Sequence, residues 1–88
     1  MIKWERGGPV YATDRAVWKQ IADEVRRRII DGVYTQRNAI PSLNALVQEF
    51  GVARNTIRKV VELLESEGYV RAEMGVGTFV TPKSNWPQ

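Results

Sequence analysis

The residues best placed to do chemistry in this chain form one cluster: Arg54, Asn55, Arg58 and Lys59. Arginine makes paired hydrogen bonds to guanine, and asparagine to adenine, in the major groove of duplex DNA. On a helix advancing about 100° per residue, the cluster lies opposite an apolar stripe of Ile57, Val60, Val61 and Leu64. Its members fall in the first turn and a half, and beyond them the same surface turns acidic, with Glu62, Glu65 and Glu67. A recognition helix enters the major groove with its N-terminal end while its C-terminal half stays out. The acidic half would be repelled by phosphates, so the charge pattern sets which end goes in. The plainer alternative is a solvated surface helix in which Glu62 and Glu65 pair with Arg58 and Lys59.

Other chemistries fall away. The chain has no cysteine and no histidine, which removes disulfides, thiolate metal sites and histidine-based acid–base pairs. The carboxylates show no paired placement for general acid–base work, so we expect no enzyme, no cofactor and no metal. The net charge of +3, from 13 Lys+Arg against 10 Asp+Glu, permits nucleic-acid binding without establishing it. No run of ~18 apolar residues is present, so no membrane span is expected. The N-terminus lacks the apolar core of a signal peptide, and the protein is read as cytoplasmic. At 88 residues there is room for one small domain and none for an effector domain.

The elements that would position the cluster can be read from periodicity. Val17, Ile21, Val25 and Ile29 recur every four residues, widened by Trp18 and Ala22, and predict a helix from about Arg15 to Ile30. Thr13 or Asp14 offers a cap, and Gly32 follows the end. Residues 33–41 read as a connection; Ile40 precedes Pro41 and should be extended, as a short strand on the edge of the wing sheet. Ser42 is a good N-cap for a second helix to Phe50, with Leu43, Leu46, Val47 and Phe50 on its inner face. Gly51-Val52-Ala53 makes a tight turn into a third helix, Arg54 to Glu67, which Gly68 ends. Two helices across so short a turn have the shape of a helix-turn-helix. After Gly68 the period changes to two. Tyr69-Val70-Arg71 and Thr78-Phe79-Val80-Thr81 predict strands, with Glu73-Met74-Gly75-Val76-Gly77 as a hairpin tip whose glycines allow positive φ and leave the backbone uncovered.

From Trp18 to Thr81 the chain resembles the DNA-binding domain of the GntR family of bacterial transcription regulators. The resemblance lies in W-K-Q-I-A-D-E-V-R-R-R-I for the first helix, I-P-S-L-N-A-L-V-Q-E-F-G-V-A-R-N-T-I-R-K-V-V-E-L-L-E-S-E-G-Y-V for the helix-turn-helix, and G-V-G-T-F-V for the wing. It implies that Arg54 and Arg58 are recognition-helix arginines and that Asn55 and Thr56 are the polar pair between them. It further implies that Gly75 and Gly77 are wing glycines set in or near the minor groove. Ser42 matches the cap of the second helix, whose first amides can bind a phosphate. Two positions depart from the family: Asn44 stands where an arginine is usual, and Ala53 where a hydroxyl residue often caps the third helix.

The expected fold is α+β, a winged helix-turn-helix of three helices and a small antiparallel β-hairpin wing. Residues 1–13 are expected to be a flexible or loosely docked arm, 14–81 the DNA-binding domain, and 82–88 a tail or linker stub. Trp18, Phe50, Tyr69 and Phe79 are assigned to the core; Trp4 and Trp86 lie in the tails, exposed or packed on the chain itself. Arg26, Arg27 and Arg28 either reach phosphates or sit favourably near the negative end of their helix. The expected function is sequence-specific binding of double-stranded DNA at an inverted-repeat operator, as a homodimer on DNA and a repressor-like regulator. A protein-interaction adaptor and a plasmid or phage maintenance factor stay open.

Overall fold

Apolar residues one turn apart hold the first helix against the rest of the chain. The computed structural model describes residues 2–87. Helix α1 (Val17–Ile30) buries Ile21, Ala22, Val25 and Ile29. Helix α2 (Leu43–Phe50) buries Leu46 and Phe50, and helix α3 (Arg54–Glu67) buries Ile57, Val60 and Leu64. Both α1 and α2 pack on α3. Ile21, Phe50, Ile57 and Leu64 have 0% of their surface exposed, and each such side chain contributes about 1.5–3 kcal/mol by leaving water. No helix among the described residues is long and apolar enough to cross a membrane.

Helix α1 starts at Val17 rather than Arg15, and neither Thr13 nor Asp14 caps it; the N-cap is Ala16, which has no side chain for the task. Gln20 accounts for the late start. Its buried amide accepts from the Ala12 N–H (2.8 Å) and donates to the carbonyls of Ala12 (2.9 Å) and Arg15 (3.0 Å). The segment before α1 is thus tied down as a turn instead of continuing the helix. Ser42 caps α2 as expected, its Oγ accepting from the Ala45 N–H at 3.1 Å. Gly51 follows at φ 66°, the left-handed turn between α2 and α3.

The wing is an antiparallel hairpin. The strands after α3 pair Val70 with Val80 and Glu73 with Gly77, leaving Met74-Gly75-Val76 as the turn, shorter than the tip read from sequence. The connection 33–41 joins the wing's edge through a single bridge, Ala39 to Phe79, with the Ile40 N–H on the Thr78 carbonyl (2.9 Å) and the Val80 N–H on the Asn38 carbonyl (2.9 Å). Phe50 and Tyr69 are core residues, whereas Trp18 and Phe79 are only half-buried.

Both ends of the chain carry structure that shows no period in the sequence. At the N-terminus, β1 (Lys3–Glu5) and β2 (Gly8–Val10) form a second hairpin. It docks because Ile2 is buried, the Trp4 ring lies 5.6 Å from that of Phe50, and the Tyr11 hydroxyl donates to the Phe50 carbonyl. With those two strands counted, the wing strands are β3 (Val70–Glu73) and β4 (Gly77–Val80). At the C-terminus, Lys83–Asn85 makes a 3₁₀ turn that returns Trp86 to the domain. Its indole N–H donates to the Thr81 carbonyl (3.1 Å) and its ring lies 5.9 Å from that of Tyr69.

Candidate nucleic-acid interface

The residues singled out in sequence gather around the N-terminal half of α3. Ser42, Asn44, Arg54, Asn55, Arg58, Lys59, Gly75 and Gly77 are exposed, and Thr56 is half-buried. Asn44 on α2 accepts a hydrogen bond from the Arg54 guanidinium. The position where the family usually has an arginine therefore orients another arginine instead. Arg58 reaches Asn55 weakly, at 3.4 Å. Ala53 is the N-cap of α3 and makes no side-chain cap bond.

Two grooves run along α3. One, of about 630 Å³, lies between α3 and the wing; Ser42, Arg58 and Gly77 line it together, with Glu62 and Glu65 farther along. The other, of about 510 Å³, lies between α3 and the start of α1, and Asn55, Thr56 and Lys59 line it with Trp18. The Lys59 ammonium sits 4.4 Å from the centre of the Trp18 ring. Gly75 stands apart, at the tip of the wing turn. Gly77 adopts φ 150°, a conformation that side chains rarely accept, with open space where a Cβ would go.

Electrostatics separate this face from the arginine-bearing surface of α1. Among the described residues no carboxylate pairs with Arg54, Arg58 or Lys59, so the pairing of Glu62 and Glu65 with Arg58 and Lys59 does not form. Glu65 instead accepts from the Ala72 N–H at 3.0 Å, joining α3 to the wing. Arg26, Arg27 and Arg28 are answered by acids. Arg26 bridges Asp23 (2.8 Å) and Glu67 (2.9 Å), Arg27 bridges Glu24 (2.6 Å) and Asp31 (3.0 Å), and Arg28 bridges Glu24 (2.8 Å) and Glu49 (2.7 Å). Burial opposes ionisation of Glu24, but hydrogen bonds from Arg27 and Arg28 outweigh it and hold its carboxyl below the usual range. Asp23 is likewise resisted by burial and held below its usual value by Arg15 and Arg26.

Arg28 is the most enclosed of the three. Its guanidinium lies 5.3, 5.7 and 5.8 Å from the rings of Phe50, Trp4 and Tyr34, and its side chain is 13% exposed. It locks the N-terminal hairpin, α1 and α2 together. The basic run is visible in sequence, and its pairs with Asp23, Glu24 and Asp31 stand at helical spacing, but Glu49, Glu67 and Trp4 lie far from it in the chain and carry no sequence signal. The approach of Trp18 to Lys59 went unseen for the same reason.

A helix-turn-helix followed by a hairpin beside its second helix defines a winged helix-turn-helix module. The bacterial regulatory proteins of the gntR family match residues 18–80, and this chain belongs to that family. It is 44% identical over 68 residues to an uncharacterised HTH-type transcriptional regulator of Rhizobium meliloti, covering 77% of this chain and 28% of the relative. It is 31% identical over 65 residues to the arabinose metabolism transcriptional repressor of Halalkalibacterium halodurans, covering 74% and 17%. The chain thus spans under a third of the length of these curated relatives. Among solved structures, AraR(DBD) in complex with operator ORE1 superposes with a TM-score of 0.75 at 36% identity, covering 84% of this chain and 92% of that one. A GntR family transcriptional regulator from Listeria monocytogenes has the same fold, with a TM-score of 0.79 at 22% identity over 84% of this chain and 65% of that one.

Proposed function

We propose that this chain binds double-stranded DNA sequence-specifically, with the N-terminal half of α3 in the major groove and the wing beside it, as the DNA-binding part of a repressor-like transcription regulator. The observation that carries the reading is the division of cations. The arginines of α1 are bound to carboxylates, while Arg54, Arg58 and Lys59 are exposed with no acid partner among the described residues. Leaving a cluster of like charges unneutralised costs stability unless an anion meets it. The operator-bound relative and the repressor function of the Halalkalibacterium protein support the same conclusion.

In this reading Arg58 and Asn55 address base edges, Arg54 is aimed by Asn44, and Thr56, Lys59 and the α2 amides behind Ser42 take phosphates. Gly75 and Gly77 let the bare wing backbone approach the minor groove. The preferred site is an inverted repeat occupied by two copies, because a two-fold protein arrangement requires a two-fold site. Selection from random duplexes, followed by affinity measurement across salt, tests this. A palindromic consensus and a steep fall of log K with log salt, about −0.9 per neutralised phosphate, are expected. A flat salt response or an unselected pool would overturn the reading in favour of a protein-interaction role.

A further inference from the structure

Arg58 and Lys59 are adjacent in sequence, so on a helix they project about 100° apart. Arg58 opens on the groove beside the wing and Lys59 on the groove beside α1. A helix about 10–12 Å across in a major groove about 12 Å wide lies between two phosphate strands, one along each flank. Of the residues identified from sequence, Ser42, Arg58 and Gly77 line the wing-side groove and Asn55, Thr56 and Lys59 the other, and none of them comes from α1. The opposite flank carries cations of its own. Lys19 of α1 and Lys59 of α3 both converge on Trp18, at 6.0 and 4.4 Å from the ring centre.

Neither lysine has an acid partner among the described residues, and for Lys19 the cause is visible. Asp23 lies one turn along α1, at the spacing of a helical ion pair. Its two carboxylate oxygens are already held, Oδ2 by Arg15 at 2.9 Å and Oδ1 by Arg26 at 2.8 Å. Nor does any carboxylate line the groove between α1 and α3, whereas Glu62 and Glu65 line the wing-side one. The Trp18 indole N–H has no partner among the described residues, and no polar side-chain atom is buried without one. It therefore reaches solvent as a free donor on the ring that both ammonium groups approach.

We propose that Trp18, Lys19 and Lys59 form a second backbone-binding flank. It takes phosphates of the DNA strand across the major groove from the strand that Ser42 and Arg58 face. The inference rests on the DNA-binding reading and adds α1 to the interface. Holding Lys59 against the indole face fixes a flexible side chain in advance, so less rotamer freedom is lost when the phosphate arrives. Contacts of this kind set register and affinity and carry no base preference.

The test compares the unsubstituted chain with Lys19→Ala, Lys19→Arg and Trp18→Phe on the selected duplex and on a scrambled duplex, across salt, with phosphate-ethylation interference on both strands. Lys19→Ala should weaken both duplexes by the same factor and make the salt slope shallower by about 0.9. It should also erase interference on one strand while leaving the other intact, and Lys19→Arg should restore all three. Trp18→Phe, which keeps a ring and loses the N–H, should weaken binding without altering the preference order. Because Lys19 is exposed and has no acid partner among the described residues, the Lys19 variants should melt like the unsubstituted protein. If that protein binds with an Arg58-dependent preference but Lys19→Ala changes neither slope nor footprint, this inference falls and the DNA-binding reading stands. If no duplex is bound at all, both fall.

Discussion

Arg58 and Ala53, five positions apart on the same helix, illustrate two separable jobs. Arg58 is exposed and makes one long contact to Asn55, at 3.4 Å, so truncating it removes little from the fold. On the selected duplex Arg58→Ala should cost roughly 1–3 kcal/mol and relax the preference at one base pair, with an unchanged melting temperature. Unchanged affinity and preference in a folded variant would remove α3 as the reader. Ala53 does the opposite kind of work, or fails to do it. It ends the turn before α3 with extended backbone, φ −68° and ψ 153°, as an N-cap needs, and its carbonyl accepts from the Thr56 N–H at 3.0 Å, yet it has no side-chain oxygen for the amides of the first turn. Ala53→Ser should therefore stabilise the domain by about 1 kcal/mol, raising the melting temperature by several degrees, about 4–8 °C for a domain of this size. A melting temperature that stays put or falls would mean that the bond from the Thr56 N–H to the Ala53 carbonyl leaves a hydroxyl nothing to gain.

Among the elements, the wing is the one whose contribution depends on backbone alone. Gly77 sits where β4 leaves the turn, at φ 150°, and a Cβ there would meet nothing within 4 Å. Steric collision is thus not the issue; conformation is. Gly77→Val should strain the turn by about 1–3 kcal/mol and weaken binding to every sequence alike, read as parallel losses on selected and scrambled duplexes. A change in preference order instead would mean that the wing reads bases. The wing, α2 and α3 were legible in the sequence because each is local: Ser42, Gly51 and Gly68 punctuate the chain, and the apolar spacing between them is unbroken. The N-terminal hairpin was not. Ile2-Lys3-Trp4-Glu5 alternates too briefly to mark a strand, Gly8-Pro9-Val10 carries two strand-poor residues, and what holds them is distant, namely Phe50 and Arg28. The same limit applied to the site. The cations of α3 could be found by counting along the helix, but which cations were free depended on carboxylates placed by the fold.

For the molecule as a whole, the carboxylates that neutralise the arginines of α1 are also its acid sensor. Asp23 and Glu24 are both held below their ordinary values, 3.8 and 4.5, by arginine hydrogen bonds that outweigh the opposing effect of burial. A carboxyl whose folded value is depressed contributes stability that is present above the unfolded value and is lost as the pH falls through the folded one. The melting temperature should therefore hold level from neutral pH down to about 5 and fall below about 4.5, as Arg15, Arg26, Arg27 and Arg28 lose their partners. Glu67, Asp31 and Glu49 also pair with Arg26, Arg27 and Arg28. Glu24→Gln separates one contribution. Its side chain is 15% exposed and bridges Arg27 and Arg28. The variant should lose about 1–2 kcal/mol at neutral pH, since hydrogen bonds to a charged group exceed those to a neutral one. It should also fall less steeply below pH 4.5, because the protonation it would have undergone no longer exists. Arg28 anchors the N-terminal hairpin through Trp4, so that loss should register first as faster amide exchange in residues 3–10. A variant as stable as the parent at neutral pH, with an identical acid limb, would place the acid sensitivity in Asp23 and leave Glu24 a bystander.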